Sequence, residues 1–294
     1  MRKRLPALLV ATLPIAFSGC GGEPTAVAKL TVSPSTVRLP PREVTLLELS
    51  WEPKSALGTK AGAPIVFVHL VDDRDTVLRT FDHPFPGEWK PGTPVSYEIK
   101  LFQSALAQPL PAGKYRLTVG LYGKEGERWP LEGAGKKVGR HEYHAATVTA
   151  PPKGKGPRFS FSQQWLPTEP GTDRQVVARR WLVGRGALRV SGVREKGTLW
   201  LALQIPRPGS GDKVVFEDGA AQPAATVTSS CGVEANVSGE GVHDVELPIE
   251  PAAEEDTCRL NVKANFHLEP RQGGPQRAVS LETLAWIPSS RGKG

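Results

Sequence analysis

The chain has 294 residues and a formal charge of +7, with 23% charged and 7% aromatic residues. Its basic residues are scattered and do not interleave with aromatics, which argues against a nucleic-acid-binding surface. No apolar run reaches the roughly 20 residues that a membrane-spanning helix needs.

The first twenty residues form a recognisable leader. Met1-Arg-Lys-Arg4 is basic, Leu5 to Phe17 is apolar apart from Thr12 and the interrupting Pro6 and Pro14, and Ser18-Gly-Cys20 follows. A basic start, a short apolar stretch and small residues before a cut describe a secretory signal peptide. The closing Ser-Gly-Cys20 resembles the lipobox of bacterial lipoproteins. That resemblance implies that residues 1–19 are removed and that Cys20 is acylated, with diacylglyceryl and palmitate-type acyl chains. One acyl chain binds a membrane only marginally, so stable anchoring takes more than one hydrophobic signal. The expected membrane partner is thus met through a lipid anchor. Gly21, in place of Asp after the cysteine, favours the outer over the inner membrane by resemblance to enterobacterial sorting.

The mature chain keeps 275 residues, enough for two ordinary domains, and loses the charges of Arg2, Lys3 and Arg4, leaving +4. Its 31 glycines and 28 prolines suit a turn-dense β-protein. After a lipidated tether over 20–27, strand patterns recur through 28–150 with little helical period. Val44 to Trp51 reads as a strand burying Thr45, Leu47, Leu49 and Trp51. Pro64 to Val71 is apolar on both faces, as in a central strand. Asp72-Asp-Arg-Asp75 then turns the chain into Thr76–Phe81. Val95–Leu101, Tyr115–Tyr122 and Ala145–Thr149 complete the set. Leu110-Pro-Ala-Gly-Lys-Tyr115 has the form of a tyrosine corner. Phe67-Val-His-Leu-Val71, Asp82-His-Pro84, Trp89-Lys-Pro-Gly92, Pro111–Tyr115 and Val119–Tyr122, in that order, resemble an immunoglobulin-like domain of bacterial envelope proteins, some of them glycosyltransferase-type.

Residues 151–157, Pro-Pro-Lys-Gly-Lys-Gly-Pro, read as a linker, because Pro and Gly block both helix and strand pairing. In 158–288, strands are expected over Phe159–Trp165, Arg180–Val190, Gly197–Ile205, Lys213–Phe216, Ala225–Ser229, Val242–Ile249, Cys258–Phe266 and Ala278–Ile287. Leu199, Leu201, Leu203 and Ile205 share one face. Phe161, Trp165, Glu169, Arg180-Trp181 and the late Val279-Ser-Leu-x-x-Leu-x-Trp286 resemble jelly-roll domains of carbohydrate-binding-module type. Residues 289–294 form a tail. The predicted fold is all-β: an immunoglobulin-like and a jelly-roll-like β-sandwich joined by a Pro/Gly linker.

With Cys20 assigned to lipid, Cys231 and Cys258 remain as an even pair in an oxidising compartment, and a disulfide between strand-like segments is expected. Asp72, Asp73 and Asp75 lack the EF-hand pattern and read as a hairpin turn. His141-Glu-Tyr-His144 is not the zinc-helix motif, since its histidines are three apart and would point to opposite faces of a strand. His69 reads as a hydrogen-bonded core residue. No nucleophile-elbow or phosphate-loop motif occurs, and neither a metal nor a cofactor is expected. Trp165, Glu169, Arg180 and Trp181 form the candidate ligand site: indole faces stack on sugar rings while carboxylate and guanidinium groups hold hydroxyls. The competing interpretation puts both indoles in the core, with Glu169 and Arg180 paired at its rim.

The function expected is that of a non-enzymatic cell-envelope lipoprotein binding a glycan or an envelope protein through its distal sandwich. A structural or assembly lipoprotein with protein partners alone stays open. A hydrolase with an unrecognised site is a third class.

Overall fold

The computed structural model describes residues 25–57, 63–123, 125–152, 154, 156–171, 176–209, 213–217, 219–251, 258–269 and 273–289. The leader and Cys20 lie outside them. Among the described residues there is no α-helix, and the strands build two β-sandwiches.

In the first sandwich a four-stranded sheet runs in the order Leu131–Glu132, Ala28–Ser33, Val44–Pro53, Val95–Phe102. The facing sheet runs Lys136–Gly139, Glu142–Ala150, Gly113–Tyr122, Ile65–Val71, Val77–Thr80, with three shorter strands paired beside it. Period-2 alternation sends Leu47, Leu49 and Trp51 inward from one sheet to meet Val66, Val68, Leu70, Leu117, Val119 and Leu121 from the other. The tyrosine corner is present: the Tyr115 hydroxyl donates to the Pro111 carbonyl at 2.7 Å. The aspartate turn also forms, with Asp72 Oδ1 accepting from the N–H groups of Arg74 and Thr76. His69 is hydrogen-bonded as expected, to Asp82, but does not lie in the core. It lies one residue out of phase with Val68 and Leu70, so it sits half-buried on the outer face, with Nε2 3.2 Å from an Asp82 oxygen. On that face Phe67 crosses over Gly120, its register partner; a Cβ there would come within 2.1 Å of the ring.

The second sandwich has two five-stranded sheets. One is ordered Arg158–Phe161, Arg185–Ser191, Cys258–Ala264, Ala224–Ser229, Glu234–Ser238. The other is ordered Glu169–Pro170, Ala178–Trp181, Ser280–Pro288, Gly197–Ile205, Gly241–Ile249. Leu199, Leu201, Leu203 and Ile205 face its core as the alternation predicts. Two predicted strands are each broken in two. Arg180–Val190 divides at Gly184, whose positive φ of 68° turns the chain from one sheet into the other. Cys258–Phe266 divides at Asn265, whose side chain bonds the Ala224 N–H and the Gln222 carbonyl.

Cys231 and Cys258 are joined, with Cα atoms 5.9 Å apart. Cys231 lies in the turn after Ala224–Ser229, not in a strand, so the bridge pins a turn to the start of the adjacent strand of the same sheet.

The two sandwiches touch. The Trp286 N–H donates to the Arg42 carbonyl at 2.8 Å, and the Ala105 N–H to the Leu284 carbonyl at 2.7 Å. Glu43 and Trp286 form a parallel bridge. Val44, Trp200 and Ala285 make a small buried cluster there, with Phe102 packed on it. The Phe102 and Trp200 rings meet edge to face at 4.9 Å, and Lys100 pairs with Glu246 at 2.5 Å.

The Cys231–Cys258 bridge closes a loop of 27 residues' separation, worth about 3.5 kcal/mol in the chain-entropy account. A Cys231→Ala/Cys258→Ala variant should lose about that much unfolding free energy in urea titration. An unchanged midpoint would show that the loop is already ordered without the bridge.

Candidate functional site

The outer face of the sheet carrying Gly197–Ile205 holds a cleft lined by aromatic, acidic, basic and amide side chains. Because Leu199, Leu201, Leu203 and Ile205 face inward, Trp200, Ala202 and Gln204 must face out. Register then sets three rows. Trp181, Ser280, Gln204 and Val242 form one; Thr283, Ala202 and Asp244 the next; Ala285, Trp200 and Glu246 the third. Trp181 and Trp200 thus stand at diagonal corners of a floor made of the small residues Ala202 and Thr283.

A bulge supplies a further group. Ala202 pairs with Thr283 and Leu203 with Leu281, so Glu282 is the extra residue of its strand. Such a bulge re-aims a side chain. Glu282 is only 5% exposed, accepts a hydrogen bond from the Ser280 hydroxyl, and lines the cleft. The space measures about 610 Å3 and is closed at one side by Phe102 of the first sandwich. Arg179 and Arg207 lie at its rim.

Both indoles are held alike. Trp181 Nε1–H donates to Glu169 Oε1 at 2.7 Å, and Trp200 Nε1–H to Asp244 Oδ1 at 2.9 Å. Arg179 and Arg277 lie over the Trp181 ring, 5.3 and 5.0 Å from its centroid, and Lys100 lies 4.6 Å from that of Trp200. A buried indole thereby satisfies its polar edge while its π-face attracts a cation. Glu169 also accepts from Arg179 Nε at 2.9 Å and lies 3.5 Å from Arg277. Burial pushes the Glu169 carboxyl up. The hydrogen bonds from Trp181 and Arg179 and the charges of Arg277 and Arg179 outweigh this and leave it below the ordinary glutamate range.

Trp165 and Trp181 do not form the predicted stacking platform. They are 3% and 7% exposed, so neither offers a ring face to a ligand. Trp165 belongs to the core and packs against Gly186, where a Cβ would lie 2.9 Å from its indole nitrogen. Glu169 pairs with Arg179, not Arg180, because residues 179 and 181 share a strand face and 180 lies on the other. Arg180 instead covers Phe161 at 4.3 Å and donates to the Leu166 carbonyl. Of the four predicted residues, the structure brings Glu169 and Trp181 together and sends Trp165 and Arg180 elsewhere. Trp200, Asp244 and Glu282 were missed. Trp200 had a signal, being a tryptophan at the outward phase of the most regular strand in the chain. Asp244 and Glu282 depend on register and a bulge, which carry no such mark.

The sequence matches no protein-family profile and no curated protein. The chain shows partial similarity to several solved structures. One of these is the secreted serine protease VesC from Vibrio cholerae, at 8% identity and a TM-score of 0.26, covering 85% of this chain and 49% of that one. Another is the alpha-2-macroglobulin of E. coli, at 14% identity and a TM-score of 0.22, covering 96% of this chain and 15% of that one. The chain therefore spans about half the length of the protease and a small part of the macroglobulin. Neither likeness assigns a family.

Because the Glu169 carboxyl titrates below its unfolded value, its stabilisation is present above the ordinary glutamate range. It is lost as pH falls through the folded-state value. Glu169→Gln should cost about 1 kcal/mol near neutral pH, allowing for a side chain 31% exposed. The gap to the unsubstituted protein should narrow below pH ~4. Urea midpoints at the two pH values check this; a gap independent of pH would mean that the charge is not what holds the indole.

Proposed function

We propose that the protein is a non-enzymatic lipoprotein of the cell envelope, anchored through Cys20, that binds a polyhydroxylated ligand of glycan type in the cleft of its second sandwich. The observation that carries this is the floor of Ala202 and Thr283 bounded by Gln204, Asp244, Glu282 and Arg179: a recess of ligand size with hydrogen-bonding groups on several sides. Recognition would run through these polar groups, since the ring faces are covered and both indole N–H groups are already donated. The two carboxylates are each tied to a neighbour, Asp244 to Trp200 and Glu282 to Ser280, which suits holding a ligand more than moving protons.

The strand register supports the cleft's place far from the anchor. Ala28, just after the tether, pairs with Pro53 at one end of Val44–Pro53, whereas Val44 at the other end packs against the second sandwich. That strand has ten residues, so about 30 Å separates the two poles. The alternative, a lipoprotein with protein partners only, draws on Val242, which is 58% exposed at the cleft's edge.

Glycan-array screening of the full-length protein in detergent should give retained ligands. Gln204→Ala should weaken them about three- to tenfold at unchanged melting temperature, while Val242→Ser should leave them intact. No retained glycan, or loss on Val242→Ser with none on Gln204→Ala, would reject the glycan assignment in favour of a protein partner. Cell fractionation of Cys20→Ser tests the anchor separately: the expected result is folded protein in the soluble fraction, and a variant still in the membrane would refute it.

A further inference from the structure

A second cleft opens at the junction of the sandwiches. A deeper part of about 250 Å3 lies beside Trp286 and continues into a wider mouth of about 610 Å3. The mouth is lined by Arg42, Arg158, Arg194, Phe159 and three glycines, 154, 156 and 192; the deeper part adds Arg38 and the carboxylates of Glu43 and Glu195, so arginines outnumber acids by four to two over the whole cleft. The three arginines of the mouth come from separate places: the turn before Val44–Pro53, the strand Arg158–Phe161, and the connection between Arg185–Ser191 and Gly197–Ile205. Elsewhere cations are commonly matched to carboxylates, as at Lys29–Glu52, Arg179–Glu169 and Arg207–Glu240. Among the described residues Arg158 and Arg194 have no ion-pair partner.

Arg42 is the positioned member. Its φ of 67° is uncommon for a residue with a side chain, and the junction holds it there. Its carbonyl accepts from the Trp286 N–H at 2.8 Å, and its guanidinium donates to the Pro157 carbonyl at 3.1 Å. One contact ties it to the second sandwich and the other to the segment joining the two. A guanidinium carries five donors, so four remain. Glycine at 154 leaves open space, while at 156 and 192 a Cβ would stand 3.7 Å from the Glu43 carboxylate and 3.8 Å from Arg158 Nε, so the absent side chains leave room beside these groups for a ligand to approach the backbone.

We propose that this mouth is an anion site that takes a phosphate group of a phosphorylated ligand, held by the forked guanidinium groups of Arg42, Arg158 and Arg194. Tetrahedral oxyanions match this chemistry, because planar guanidinium forks give paired, charge-assisted hydrogen bonds. Since both sandwiches line the site, bound phosphate also clamps their junction. The site is separate from the sheet-face cleft and does not depend on its ligand.

Calorimetric titration of the full-length protein in detergent with inorganic pyrophosphate, at constant ionic strength, tests the site. Saturable binding with a raised melting temperature is expected. Arg158→Ala and Arg194→Ala should each weaken it about tenfold, with Arg158→Lys intermediate because it keeps charge but loses the fork. Arg189→Ala removes an exposed arginine outside the cleft and should change nothing. Absence of saturable binding, or an equal loss in Arg189→Ala, would overturn the proposal. Where binding is saturable, displacement by dihexanoylphosphatidylglycerol places the phosphate on a lipid headgroup. Failure of displacement places it on a soluble ester; both results retain the site.

Discussion

The contact between the two sandwiches governs the rest of this molecule. It is made by backbone pairing, not by side-chain packing alone: Arg42 and Ala105 of the first sandwich bond directly to the strand Ser280–Pro288 of the second, and Glu43 lies opposite Trp286 in a parallel bridge. Backbone groups buried without partners are costly, so a junction that satisfies them specifies an orientation as well as an affinity. Two features follow from it. Phe102 reaches over Trp200 and closes one side of the sheet-face cleft. Arg42 is held in a left-handed conformation and faces the second cleft. Separated sandwiches would have neither.

Within the second sandwich, one device is used twice. An outward indole at a strand position is kept by a carboxylate on its N–H and a cation over its ring, at Trp181 with Glu169 and at Trp200 with Asp244. This covers large aromatic area on a face that would otherwise be solvated, and leaves a recess of small residues between the two indoles. The carboxylates that hold the tryptophans therefore decide the shape of the cleft, and Asp244 also forms part of its wall. The arrangement turns an ordinary sheet surface into a bounded recess without adding a loop.

Much of the fold was legible because alternation and turn chemistry are local. Leu199 to Ile205 announce their inward face, Tyr115 its corner, and Asp72 its turn, each within about ten residues of chain. What was not legible depends on pairing over distance. The junction rests on Arg42, Ala105 and Leu284, whose partners are set by backbone geometry alone. The site was half visible: Glu169 and Trp181 do meet, but the choice of Arg179 over Arg180 turns on strand phase, and the phase was hidden because the predicted strand Arg180–Val190 ran through a turn. Trp165 carried the same aromatic signal as Trp181 and went to the core, since the absent side chain of Gly186 leaves room for it there. Glu282 depends on a bulge, which leaves no trace in hydrophobic pattern.

The two sandwiches form one body through their backbone-paired junction, which creates the arginine-lined cleft and closes one side of the sheet-face cleft. Residual dipolar couplings of backbone amides, measured on the full-length protein in a weakly aligning medium, test this directly. Couplings from 28–150 and from 158–288 should fit a single alignment tensor with the orientation described here. Two tensors of different magnitude or direction would show that the sandwiches move independently, and would remove the structural basis of the arginine-lined site and the Phe102 wall of the other.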